Sequence, residues 1–233
     1  MDAGLRELAE AVLDANLALT RHGLVTLTWG NVSGIDRDRG LVAIKPSGVA
    51  YEELELDDIV LVDLDDASVM GSRRPSTDTP THLALYRAFA QVGGVAHTHS
   101  TWATAWAQAQ REIPLFGTTH ADLCAYPIPL TRALREEEIA SDYEGATGTV
   151  LVEAVADRDP LEVPCALVRG HAPFCWGESA AAAVETAVTL EAVARMALLT
   201  TTIEPDAVEL HEGVRDKHHE RKHGPGAYYG QER

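Results

Sequence analysis

The run Val92-Gly-Gly-Val-Ala-His-Thr-His-Ser100 limits most what this chain can become. It is short and apolar, and Val95, Ala96 and Thr98 suit an extended backbone, so it is expected to be a strand. Side chains two apart on a strand point to the same face. His97 and His99 therefore lean toward one point, as a divalent metal requires, and imidazole suits zinc and its first-row neighbours. Helical patterns flank the run, from Pro80 to about Phe89 and from Thr101 to Ala109. A buried strand between two helices places the chain in a mixed α/β class.

The rest of the sequence fills in that class. Leu5, Leu8, Ala9, Val12, Leu13 and Leu17 recur at helical spacing over 4–22, and Gly23 closes that helix. Segments 25–35 and 41–45 are expected strands, joined by the turn-rich Asp36-Arg-Asp-Arg-Gly40. A third strand covers 59–63. Asp78 or Thr79 can cap the helix that starts at Pro80. Further on, 113–116, 166–169 and 173–176 read as strands, 136–143 as a helix, and 149–156 as either. Segments 179–202 and 207–223 read as helices. The sum is one domain over 1–233: a largely antiparallel central sheet flanked by helices.

Charge excludes some partners. Formal net charge is −17, whereas a nucleic-acid surface needs clustered Lys and Arg. An anionic substrate would require the few cations to be gathered locally. Cys124, Cys165 and Cys175 show no CxxC spacing, and an odd count without a signal peptide predicts a reducing cytoplasm. All three suit small core positions. The Ala-rich stretch 180–199 carries Glu185, Glu191 and Arg195, so it predicts a packed helix and no membrane span.

Four constellations carry candidate chemistry. The first is His97 and His99 with His171, from Val168-Arg-Gly-His-Ala-Pro-Phe174. Three imidazoles and an open position would make a catalytic zinc site. Nothing in one sequence shows that His171 lies near the pair, and a turn histidine is the alternative. The second is Gly30-Asn31, Lys45-Pro-Ser-Gly48 and Ser76-Thr77. A phosphate wants backbone amides, hydroxyls and a cation, although these residue types are also ordinary turn residues. The third is Gly117-Thr-Thr-His-Ala-Asp122, where Asp122 is a candidate acid/base or a turn cap. The fourth is the basic, tyrosine-bearing tail, His218-His-Glu-Arg-Lys-His-Gly-Pro-Gly-Ala-Tyr-Tyr-Gly-Gln231, which either frays or docks.

Thr28-Trp-Gly-Asn-Val-Ser33, Ile44-Lys-Pro-Ser-Gly-Val49, Pro75-Ser-Thr-Asp-Thr-Pro-Thr-His82, His97-Thr-His-Ser100, Gly117-Thr-Thr-His-Ala-Asp122 and Ala227-Tyr-Tyr-Gly-Gln231 occur in colinear order. Together they resemble the class II aldolase and adducin family, and within it the epimerases of pentulose 5-phosphates. The resemblance runs from about residue 5 to the C-terminus. It implies a three-layer sandwich fold and a cytoplasmic cyclic homotetramer with active sites at subunit interfaces. It implies that His97, His99 and His171 bind zinc, replaceable by manganese or cobalt, with Asp78 beside or on the metal. Gly30, Asn31, Ser47, Gly48, Ser76 and Thr77 would hold the substrate phosphate, aided by Lys45, with Thr118 a further polar contact. Asp122 and Tyr229 would be the acid/base pair. The tail, about 216–233, would bring Tyr229, His218 and Arg221 to a neighbouring subunit. Three places depart from the family pattern: Thr77 stands for serine, Arg169-Gly170 differs from the pair expected before the third histidine, and Ala172 follows that histidine where glycine is expected. The added methyl matters if that backbone needs a positive φ.

The implied reaction interconverts L-ribulose 5-phosphate and D-xylulose 5-phosphate. The C4 proton is not α to the carbonyl, so direct deprotonation would leave an unstabilised carbanion. Breaking C3–C4 instead leaves an enediolate and glycolaldehyde, which rotates and adds back through its other face. The alternative is an aldolase that releases dihydroxyacetone phosphate and an aldehyde, although its relatives usually carry Glu at the position of Asp78. A non-catalytic adducin-like module would lack the histidines. A zinc hydrolase is disfavoured because no HExxH occurs.

Overall fold

The computed structural model describes residues 2–224 and 227–228. Helix α1 (Ala3–Arg21) is capped by the Asp2 carboxylate, which accepts from the Leu5 amide at 3.1 Å. Strands β1 (Asn31–Asp36) and β2 (Leu41–Ile44) form a hairpin, followed by β3 (Val60–Asp63) and the short β4 (Val69–Met70). Then come α2 (Thr79–Ala88), β5 (Gly94–His97), α3 (Thr101–Gln108), α4 (Thr118–Leu123), α5 (Glu136–Ser141) and α6 (Tyr143–Ala154). Strands β6 (Cys165–Leu167) and β7 (Pro173–Gly177) and helices α7 (Ala180–Ile203) and α8 (Glu212–His223) follow, and two single 3-10 turns, Tyr51–Glu53 and Leu56–Asp58, lie between β2 and β3.

The strands make one sheet in the order β4-β3-β2-β1-β5-β7-β6, and every neighbouring pair is antiparallel. Strand alternation sorts the helices. Gly34 of β1 faces Val12 and Leu8 of α1 and Ala180 of α7; a methyl there would approach Val12 to 3.0 Å. Ser33 faces the other way, and its hydroxyl lies 2.7 Å from both His82 Nδ1 and the Tyr86 hydroxyl of α2. So α1 and α7 cover one face and α2 the other, with α6 tied to α2 where Thr81 Oγ1 donates to the Glu144 carbonyl at 2.6 Å. This is the expected antiparallel three-layer arrangement. A continuous apolar core runs through these layers and contains Cys124, Cys165 and Cys175 as buried free thiols.

Several boundaries differ from expectation. The first strand begins at Asn31, not Val25, because Leu27 (φ 54) and Gly30 (φ 84) take left-handed backbone that cannot continue a ladder. Strand β5 stops at His97, where pairing to Asn31 ends, so His99 lies beyond the strand. Segment 113–116 supplies only the bridge Ile113↔Ile128. Segment 149–156, open in sequence, is helical through Ala154 as part of α6. The last helix starts at Glu212 rather than Ala207. Among the described residues no helix is long and apolar enough to cross a membrane.

Candidate active site

One cavity of about 590 Å³ gathers most of the candidate residues. Its wall includes Gly30, Asn31, Lys45, Ser47, Gly48, Ser76, Thr77, Asp78, His97, His99 and His171. Gly30 is required where it stands: a methyl there would meet the His97 carbonyl at 2.9 Å, and its φ of +84 disfavours any side chain. That close approach sets Asn31 opposite His97 in the β1–β5 ladder. The segments around Lys45 and Ser76 are joined by their own backbone: the Ser47 amide donates to Arg74 O and the Ser76 amide to Lys45 O, each at 3.0 Å.

The three histidines converge. His97 Nε2 lies 3.1 Å from His99 Nε2, which lies 3.3 Å from His171 Nε2. His97 is pinned by its Nδ1, 2.9 Å from the Pro173 carbonyl, and by stacking on Phe174 at 4.1 Å. With Nδ1 donating, Nε2 is left with a lone pair facing its neighbours. Burial holds the His97 imidazole down to about 3 and lowers His99 and His171, so all three are neutral at physiological pH. A cation between them would take a lone pair from each of the three neutral rings. Nitrogens about 2.1 Å from a tetrahedral zinc stand roughly 3.4 Å apart, close to the spacing here. The His171 Nδ1 and Asn31 Oδ1 atoms are buried without a partner among the described residues, which also suits a site built to take a ligand. The set therefore fits a metal.

Asp78 is beside this group, not within it. The cluster whose donor atoms all lie within 4.8 Å of one another is His97, His99 and His171. The Asp78 carboxylate instead accepts from Asn31 Nδ2 at 2.6 Å. Burial pushes this carboxyl up, but the facing histidines and the Asn31 amide outweigh it and hold it below its ordinary value. Ala172 is fully buried without a positive φ, so its methyl strains nothing and leaves the third histidine in place.

The acid/base candidates lie elsewhere in the chain. Asp122, Thr118, His218 and Arg221 do not line the histidine cavity. Asp122, on α4, is held against α8: its carboxylate accepts from Arg221 at 2.6 and 3.1 Å and lies 3.2 Å from His218 Nδ1. Burial raises its carboxyl, and the Arg221 and His218 contacts more than reverse that. Tyr229 lies outside the described residues.

Sequence reasoning missed Thr28, Trp29, Tyr143 and Glu144, which also line the cavity. Trp29 is half exposed, with its ring 6.2 Å from that of His99. Tyr143 and Glu144 arrive on the first turn of α6, where Asp142 accepts from the Gly145 amide. An Asp before a helix marks a helix start, but nothing local says that this start faces His171.

The family "Class II Aldolase and Adducin N-terminal domain" matches residues 10–198. The chain is 55% identical to the L-ribulose-5-phosphate 4-epimerase UlaF of Salmonella paratyphi A over 97% of its own length and 100% of that protein's. The protein of the same name in Salmonella paratyphi C is 54% identical over the same shares. Among solved structures, an L-fuculose 1-phosphate aldolase superposes with a TM-score of 0.78 at 22% identity, over 92% of this chain and 95% of that one. An aldolase II superfamily protein from Pseudomonas syringae gives 0.77 at 16% identity, over 97% and 90%. At such identities the structures speak for the fold alone.

Proposed function

The chain belongs to the class II aldolase and adducin family, and from that premise we propose that it is an isomerase, an L-ribulose-5-phosphate 4-epimerase, working in the cytoplasm. One observation carries the reading: three neutral imidazoles share a cavity with a buried lysine and a cradle of small polar residues. The near full-length similarity to L-ribulose-5-phosphate 4-epimerases supports the substrate.

His97, His99 and His171 would hold the metal, zinc being the natural choice for three nitrogens and an open position. Bound there, it supplies a Lewis acid for the oxygens that carry negative charge once C3–C4 is broken. The chain's residues do the rest. Lys45 and the cradle of Gly30, Asn31, Ser47, Gly48, Ser76 and Thr77 grip the phosphate and fix the end of the substrate that must not move. Asn31 holds Asp78 as a carboxylate facing the histidines. Asp122, a carboxylate at neutral pH, can take a proton from a sugar hydroxyl, and the Tyr229 phenol can donate one on the opposite side. Inversion at C4 needs a proton handled on each face of glycolaldehyde, and this pair suits that task.

Asp122 and the histidines are apart in one chain, so the complete site would form between copies, in a homotetramer. Coupled assay of purified protein with L-ribulose 5-phosphate tests the reading. Formation of D-xylulose 5-phosphate without free glycolaldehyde is expected. Stoichiometric aldehyde release would favour the aldolase.

A further inference from the structure

Lys45 is an unusual wall for a cavity. It is only 1% exposed, yet it carries a cation. A buried charge needs a partner, and burial lowers the Lys45 pKa, with no carboxylate among the described residues acting against it. The ammonium has three N–H groups. One donates to the Val49 carbonyl at 2.7 Å, and the nitrogen sits 4.7 Å from the centre of the Tyr51 ring. The Tyr51 ring is the aromatic face that meets this cation among the described residues.

Tyr51 does a second thing. It is 3% exposed, and its hydroxyl reaches the Gly30 carbonyl at 2.9 Å and the Trp29 carbonyl at 3.2 Å. Those carbonyls belong to the left-handed turn that brings Asn31 to the cavity. Burial pushes the phenol pKa up, so it remains a donor. One side chain therefore touches both loops of the cradle, the 28–31 turn through its hydroxyl and the 45–49 turn through its ring.

We propose that Tyr51 is a positioning residue of the phosphate site, its ring holding the Lys45 ammonium and its hydroxyl fixing the Trp29–Gly30 turn, so that both walls are set before the anion arrives. The proposal rests on reading Lys45 as the phosphate cation. Preorganised walls lower the ordering cost of binding. Tyr51 acts through binding, so its loss raises KM by more than it lowers kcat.

The test is calorimetric titration of the full, zinc-loaded chain with inorganic phosphate, with KM and kcat for L-ribulose 5-phosphate measured alongside. Tyr51→Phe keeps the ring and removes one hydrogen-bonding hydroxyl, which should weaken phosphate binding about 5-fold. Tyr51→Leu also removes the cation–π contact and should weaken it by about 3- to 30-fold more. In a Lys45→Met background, Tyr51→Leu should add no more than Tyr51→Phe does, because the ring then has no cation to hold. Tyr51→Phe conserves shape and guards against a folding artefact in Tyr51→Leu. If Lys45→Met weakens phosphate binding while neither Tyr51 variant shifts it by twofold, the positioning role is overturned and the phosphate reading survives. If Lys45→Met itself leaves phosphate binding unchanged, the phosphate reading fails and takes the proposal with it.

Discussion

The histidine cavity and the α4–α8 corner hold the two halves of the candidate chemistry, and they are built differently. The cavity is lined from the sheet: His97 is locked by the Pro173 carbonyl and the Phe174 ring, and Asn31 is set by ladder register. The corner is a surface assembly, with Asp122 held to α8 by Arg221 and His218. A metal site tolerates little displacement, and here its most buried histidine, His97, is the last residue of a central strand, with His99 and His171 in short segments beside that sheet. Proton-handling groups that would serve another copy must lie where another copy can reach them. On the function proposed above, the difference would put substrate binding within one chain and acid/base chemistry between chains.

The largest effects should come from the cavity. Removing one ligand with His97→Asn should cost more than the roughly 10²-fold that loss of an outer-shell partner typically costs in metal affinity. Metal analysis of the purified variant checks this. Chelation of the wild type should abolish turnover, and zinc, manganese or cobalt should restore it. Full activity in a verified metal-free sample would remove the metal from the mechanism.

Next come the corner and the tail. Asp122→Asn and Tyr229→Phe should each lose about 10²–10⁴-fold in turnover, the range for one acid/base group, with metal content unchanged. If the two halves meet between copies, dissociating and reassembling inactive His97→Asn and Asp122→Asn variants together should recover some activity. Sites pairing an intact histidine cavity with a neighbouring copy's intact Asp122 would be rebuilt. No recovery in an oligomer shown to be mixed would break the division between within-chain and between-chain roles.

A smaller effect is expected at the cation. Lys45→Met should raise KM for the phosphorylated sugar by about 10- to 100-fold, the scale of a hydrogen bond to a charged group, while metal content stays unchanged. Equal turnover of L-ribulose and its 5-phosphate would count against a phosphate cradle.

The smallest effect is a pH-dependent loosening of the corner. Contacts with Arg221 and His218 leave the Asp122 carboxyl below its ordinary value. A depressed carboxyl stabilises the fold fully above its unfolded pKa, about 3.9, and loses that contribution as pH falls through the folded value. The protection factors of the α8 amides, taken against the intrinsic exchange rate at each pH, should therefore be unchanged from pH 7 to 5 and smaller below about pH 4. Protection that stays constant to pH 3 would show that this ion pair does not hold α8 in place.

Local pattern was enough for much of this. Apolar spacing marked α1, a cap followed by Pro80 marked α2, an Ala-rich run marked α7, the turn Asp36–Gly40 marked the β1–β2 hairpin, and the alternation of elements marked a mixed sheet with helices. Those signals are short-range: periods of 3.6 and 2, caps and turns. The six ordered motifs likewise identified the family, because motif order survives in the chain itself. Only the tertiary structure decided what those motifs do together. His99 was expected to face His97 by strand alternation, yet it lies beyond the strand and converges through the loop that follows. His171 joins it from 72 residues away, Tyr143 and Glu144 enter on a helix start that α2 positions, and Tyr51 reaches across two loops. Asp122 carries a motif as clear as that of the histidines, but its helix packs against α8, away from their cavity. Such placements depend on sheet register, on left-handed turns at Leu27 and Gly30, and on which helix faces meet. Those are contacts between residues far apart in sequence, whose pairing no local period encodes.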